Sequence, residues 1–321
     1  MKLPLAAAAA VLALATVLAS PSVAAAPTVE LKPGSIDRGP DIAGTHVEGR
    51  TLVDGLMRMK FRAPRVTFLG MSGDRYVVHL ARKDGSHSRV MWIRADESQR
   101  VLWRGLDGSE VLLSRDGRHL VTTPSVSSDW TTVRVLDSRS GRVLNTRSFR
   151  GSVSVLDVDG GRAVMGGWSP NRTFWWEFEG TDDTERISGR VGYAASIPAG
   201  RVASYTRDPY NGGCSVVTDL GPSPRLLWRS CDDRVAEFAP NGRRLASIDI
   251  LSDGLGPAAV TVRRTHGKSL ARYTAEWFGT LRWETNTALL LDTNGRTKAA
   301  TVRCDVTSCS RATDLKPVPH Y

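Results

Sequence analysis

Residues 111–149 read VLLSRDGRHLVTT, pass through a polar loop that ends at Trp130, and resume as TTVRVLDSRSGRVLNTRSF. Two short apolar runs flank Arg115-Asp116-Gly117-Arg118, and two more flank Asp137-Ser138-Arg139-Ser140-Gly141. Glycine tolerates the positive φ of a tight hairpin, and Asp and Ser side chains bond their own backbone in turns. The stretch therefore predicts four antiparallel strands of a single sheet.

The same unit recurs along the chain. First-hairpin turns fall at Gly73, Gly117, Gly161, Gly200 and Gly242, and Thr285 holds the equivalent place in a sixth unit. Successive markers lie 44, 44, 39, 42 and 43 residues apart. Each turn follows an apolar run such as VTFLG (66–70) or VAEFA (235–239) and precedes another, such as YVVHLA (76–81) or RLASIDI (244–250). A period this steady marks a repeat architecture. Consecutive four-stranded sheets bury their faces best around an axis, because radial closure leaves only short, protected edges. The expected fold is all-β: a β-propeller of six four-stranded antiparallel blades over 65–318. In the alternative, a hairpin at 46–64 contributes to a seventh blade. Residues 27–45, rich in Pro and Gly at their start, read as a flexible leader.

Two units carry a family resemblance. SRDGRHL with VRVLDSRSG, between 114 and 141, and APNGRRLASID at 239–249 resemble the S-P-D-G-x-x-L and D-x-x-x-G signatures of WD40-like and TolB-like (PD40-type) propeller repeats. The Trp-Asp dipeptide and Gly-His pair of true WD40 repeats are missing, so the six-bladed TolB-like group is the nearer of the two. That group includes periplasmic scaffolds that bind protein partners and propellers attached to hydrolases. The resemblance implies a fold and a leaning towards binding, and no residue-level chemistry.

The chain of 321 residues opens with Met1-Lys2, an apolar run from Leu3 to Ala19, and the small-residue segment 20–27. This pattern predicts a signal peptide over 1–26, cleaved after Ala25 or Ala26, since the apolar run falls short of the ~20 residues of a membrane span. The mature protein is expected to be secreted, monomeric and without a transmembrane span. The four cysteines suit an oxidising compartment. Hairpins about Gly221-Pro222-Ser223-Pro224 and about 305–308 would bring Cys214 opposite Cys231 and Cys304 opposite Cys309, and both pairs are predicted disulfides. The formal charge of +10 favours contact with polyanions, although the arginines are scattered through hairpin turns and form no single run.

Known catalytic patterns are absent. Gly70-Met71-Ser72-Gly73 only half resembles a nucleophile elbow, and H-E-x-x-H, a Walker loop and S-x-x-K do not occur. The six histidines, at 46, 79, 87, 119, 266 and 320, fall one to a segment without metal spacing. Asp157-Val158-Asp159-Gly160 begins like a calcium loop but lacks the Glu at its twelfth position. Asn171-Arg172-Thr173 is a glycosylation sequon. No catalytic residue, metal ligand or cofactor is named on these grounds.

A propeller gathers its loops between second and third strands on one rim. Those loops place His87, Asp129, Trp130, Trp168, Arg172, Arg207, Asp208, Tyr210, Asp253 and Arg296 on a common surface. Aromatics with Arg and Asp on loops are the composition of a recognition surface, and a Cys214–Cys231 bridge would staple the Tyr210 loop. Trp92, Trp103, Trp176, Trp228 and Trp283 sit inside strands and are expected in the core. The expected function is a non-enzymatic secreted module that binds a protein or a cell-wall polymer through this rim. The alternatives are a polyanion-binding surface protein, or a propeller hydrolase or lyase. The enzyme would need acids or histidines to converge in the axial channel, where the first strands supply Glu110 and Glu237.

Overall fold

The computed structural model describes residues 26–105, 110–127, 129–221 and 223–318. Residues 1–25 of the expected signal peptide lie outside them, as does His320. Val111–Leu113, His119–Val126, Trp130–Asp137 and Val143–Arg150 form one antiparallel sheet in chain order, as the opening stretch predicts. Five further sheets repeat this order. Ahead of them, His46–Glu48, Thr51–Asp54 and Met57–Lys60 form a three-stranded sheet. The ring therefore has seven blades, the alternative reading, because 46–60 builds a blade of its own rather than an appendage to the sixth.

In chain order, blade 1 is the three-stranded sheet. Blade 2 spans 65–104, blade 3 111–150, blade 4 152–188, blade 5 191–230, blade 6 233–274 and blade 7 277–311. The first strand of each blade borders the first strand of the next, from blade 1 through blade 7, and these inner strands line the axis.

The marker glycines explain the period. Gly73, Gly117, Gly161, Gly200 and Gly242 all have positive φ, between 63° and 81°. At Gly117 a second constraint operates, since a methyl group there would run into the Met71 carbonyl of the preceding blade. Ser138 Oγ donates to the Gly117 carbonyl oxygen at 2.5 Å and lies 2.8 Å from Ser72 Oγ. The turns of blades 2 and 3 thus nest through a glycine and two buried serines, and only a side chain without Cβ fits the join.

The core lies between blade faces. Trp176 is fully buried, with Phe149 and Phe178 packed against its ring at 5.2 and 5.4 Å in edge-on geometry. Trp103 and Trp228 are also buried, and Trp92 and Trp283 are half-buried. Both disulfides are formed, Cys214–Cys231 and Cys304–Cys309, in the hairpins that spacing indicated. Among the described residues no helix is long and apolar enough to cross a membrane.

The segment read as a flexible leader is instead tied to two blades. Thr28–Glu30 pairs in parallel with Arg272–Thr274 at the outer edge of blade 6, and Leu31 is buried in that blade's core. Arg38 forms a bridge with Arg311 at the edge of blade 7. Arg303 then donates to the Pro40 and Asp41 carbonyls, each at 2.9 Å, and to Glu284 Oε1 at 2.7 Å, while Glu284 also accepts the Ala43 N–H. Proline-rich composition disfavours a packed core, but unpaired sheet edges offer hydrogen bonds that such a segment can take.

Among the described residues no strand crosses the join between blades 7 and 1. Lys316–Pro317 folds back onto blade 7's own third strand, and Ile42 packs with Leu290 and Ala312 over that blade's free face. A cleft of about 820 Å³ remains, bounded by the inner strands of blades 1 and 2 and the face of blade 7.

Candidate functional site

Every residue assigned to the rim from sequence is exposed or half-buried. Trp130 is 56% exposed, Tyr210 70% and Trp168 37%, so each presents ring surface to solvent. The structure sorts the set into two clusters and two outliers.

The first cluster joins blades 3 and 4. Trp130 opens the third strand of blade 3, and its N–H is capped by Ser127 Oγ at 2.9 Å. The Asp129 carbonyl accepts the Gly151 N–H at 2.6 Å, and Gly151 lies so close to the Trp168 and Ser169 carbonyls that a methyl group there would collide with both. Arg172 donates to the Arg150 carbonyl at 2.7 Å and lies 4.8 Å over Phe174. Burial lowers the pKa of its guanidinium. Asp129, Trp130, Trp168 and Arg172 therefore share one surface.

The second cluster joins blades 5 and 6. Asp208 accepts the Tyr210 N–H at 3.0 Å and caps the short turn Pro209–Asn211. Tyr210 Oη reaches Asp253 Oδ2 at 3.4 Å across the gap between blades. Cys214 stands three residues past the turn; its N–H bonds Thr206 Oγ1 at 2.9 Å and closes the loop at its base, and its disulfide to Cys231 ties that base to the neighbouring strand. Arg207 projects from the same loop into solvent. His87 and Arg296 join neither cluster. His87 is exposed in a left-handed conformation beside Ser86, and Arg296 borders a separate cleft with Glu30 and Glu276.

The axial channel has two polar levels. Near the rim, Glu110, Trp168 and Tyr193 border a cavity of about 510 Å³, and burial raises the pKa of the Glu110 carboxyl. Tyr193 is fixed from three sides. It stacks on Tyr205 with ring centroids 4.1 Å apart, lies 2.5 Å from Ser215 Oγ, and accepts the Val235 N–H at 2.9 Å.

Near the opposite mouth, Arg115 Nε bonds Asp157 at 3.2 Å, and Asp157 also accepts the N–H groups of Ile197 at 2.7 Å and Val158 at 3.0 Å. Burial raises its pKa against these partners. Glu237 faces the same pair. Burial pushes its carboxyl up to about 7, the Arg115 charge opposes that rise and the Asp157 charge adds to it. Two acids thus face the Arg115 charge in the channel. Asp157 is occupied in joining blades 3, 4 and 5 through Arg115, Val158 and Ile197. Among the described residues no group of three or more His, Cys, Asp or Glu could hold a metal ion.

Glu110 and Glu237 are legible from their places on first strands, whereas Arg115 and Asp157 sit in sequence patterns that mark turns. An alternating count along 152–159 sets Asp157 on the face of the buried Val153 and Val155, but a bulge between Val155 and Asp157 shifts the register, brings Val158 onto that face and turns Asp157 away from it.

No protein-family model matches the sequence, and neither does any curated protein. Solved structures do match. The β-propeller domain of the Trilobed protease from Pyrococcus furiosus, which has an open velcro topology, superposes with a TM-score of 0.60 at 12% identity, over 82% of this chain and 86% of that one. Pyrococcus horikoshii acylaminoacyl peptidase gives 0.59 at 11% identity, over 82% of this chain and 47% of the peptidase. TolB from Acinetobacter baumannii gives 0.43 at 13% identity, over 70% of this chain and 62% of TolB. At such identities the likeness concerns architecture alone, and the chain is a seven-bladed β-propeller.

Proposed function

We propose that this propeller is a binding module that works outside the cytoplasm, taking a protein or a cell-wall polymer on the rim that carries Trp130, Trp168 and Tyr210. The observation behind this reading is the exposure of three large aromatic rings on one face, two of them on loops ordered by hydrogen bonds or a disulfide. Large rings bury much area with little loss of side-chain freedom, and loops that are ordered before contact lose less entropy on binding. The two disulfides support an oxidising location.

The test immobilises the chain from residue 26 onwards, recovers ligands from an envelope extract, and titrates each purified ligand against the parent protein and the Trp130→Ala/Trp168→Ala and Tyr210→Ala variants. Truncating a central aromatic typically costs about 2 kcal/mol or more. Affinity for the true ligand is expected to fall at least ~30-fold, that energy being a factor of 10 per 1.4 kcal/mol. Unchanged affinity in both variants refutes the rim as the binding face.

A further inference from the structure

Between the outer strand of blade 3 and the outer half of blade 4 lies a pocket of about 490 Å³, beside the rim loop 169–171, whose walls include Arg147, Arg150, Arg172 and Arg186 and no Asp or Glu. We infer that this pocket binds a tetrahedral oxyanion, a phosphate or sulfate ester group carried by a ligand. It rests on observations separate from those behind the aromatic rim.

The four arginines are not equally compensated. Arg147 is held by Asp182 through the carbonyl and the carboxylate and lies 5.3 Å over Phe149. Arg172 spends one N–H on the Arg150 carbonyl and stacks on Phe174, and its Nε is buried without a hydrogen-bond partner. Arg150 and Arg186 form no ion pair among the described residues. Phe149 and Phe174, with centroids 5.5 Å apart, make a floor that fixes two guanidinium planes before any ligand arrives.

Four cations line one pocket with a single carboxylate partner among them, so a bound dianion would meet positive charge from several sides. Guanidinium groups present paired N–H donors that match the oxygens of phosphate and sulfate. The volume lies within the range of small-ligand sites, so the ester can arrive attached to a sugar or polymer unit. Arginines scattered along a sequence as Arg147, Arg150, Arg172 and Arg186 give no linear signal, and the outer strands of two blades bring them together.

Calorimetric titrations at constant ionic strength would use inorganic phosphate, inorganic sulfate, glycerol phosphate and a sulfated disaccharide as probes. The variants are Arg150→Glu/Arg186→Glu, which alters exposed side chains without ion pairs, and Arg100→Glu/Arg142→Glu, a control with the same charge change on other exposed arginines. Saturable binding of at least one ester probe is expected, weakened at least ~10-fold in the pocket variant and less than ~2-fold in the control, since the site and not the net charge is the cause. Whichever probe binds tighter identifies phosphate or sulfate as the group. Equal losses in the two variants, or no saturable binding of any probe by the parent, overturns the inference. Trp130→Ala/Trp168→Ala is expected to leave ester binding unchanged, so failure of the rim reading and failure of this one are read from different proteins.

Discussion

Glu237 couples the protonation state of the channel to the stability of the ring. Its folded pKa of about 7 lies above the ordinary 4.5, so the native state holds a proton that the unfolded chain releases. The contribution is fully present below about pH 4.5 and is lost as pH rises through 7, which amounts to roughly 2–3 kcal/mol. Urea unfolding of the parent between pH 5 and pH 8 should show that decline. Glu237→Gln should flatten it and be the more stable protein at pH 8; a variant that keeps the parent's slope would assign the effect to another acid. At this scale the sequence was partly legible. The rim aromatics could be placed because turn chemistry marks loops. The Arg115–Asp157 pair could not, because a strand bulge reverses the facing of Asp157 and no turn residue announces it.

Among the elements, the hairpin Ser215–Asp219 to Leu226–Ser230 illustrates how far spacing can be trusted. Its two strands pair from Ser215↔Ser230 to Thr218↔Leu226, which sets Cys214 beside Cys231 with Cα atoms 4.0 Å apart. Closing a loop of this length stabilises by about 3 kcal/mol in the chain-entropy picture. Cys214→Ser/Cys231→Ser should therefore lose about that amount in urea unfolding, and the Tyr210 loop should become the first site of limited proteolysis. Cys304→Ser/Cys309→Ser, with its much shorter loop, should lose less; an equal loss in the two would argue against the loop-length account. Hairpins were legible because their information is local. Blade-to-blade contacts were not, since the neighbours that nest at Gly117 stand a whole repeat apart.

For the whole molecule, the steady period marks the propeller but undercounts its blades by one. Blade 1 lacks a fourth strand, and its own first-hairpin glycine, Gly49 at φ 60°, stands too close before Gly73 to fit the period, so a search keyed to that period begins one blade late. The segment 27–45 escapes the sequence for a related reason: composition reports what a segment can bury, and Thr28–Glu30 is held chiefly by backbone pairing to a distant edge. Removing residues 26–31 should cost about 2–4 kcal/mol, the burial of Leu31 included, and should promote self-association by baring the edge 269–274. Unfolding and size-exclusion measurements check both, and an unchanged monomer would contradict the role given to this strand. The same pairing sets an order of assembly. The partner of Thr28 is Arg272, so on a ribosome or emerging from a translocation pore the first strand waits for nearly the entire ring to be made. Loop-closure entropy places so distant a contact late. The propeller is thus fastened last by the part of it that is synthesised first.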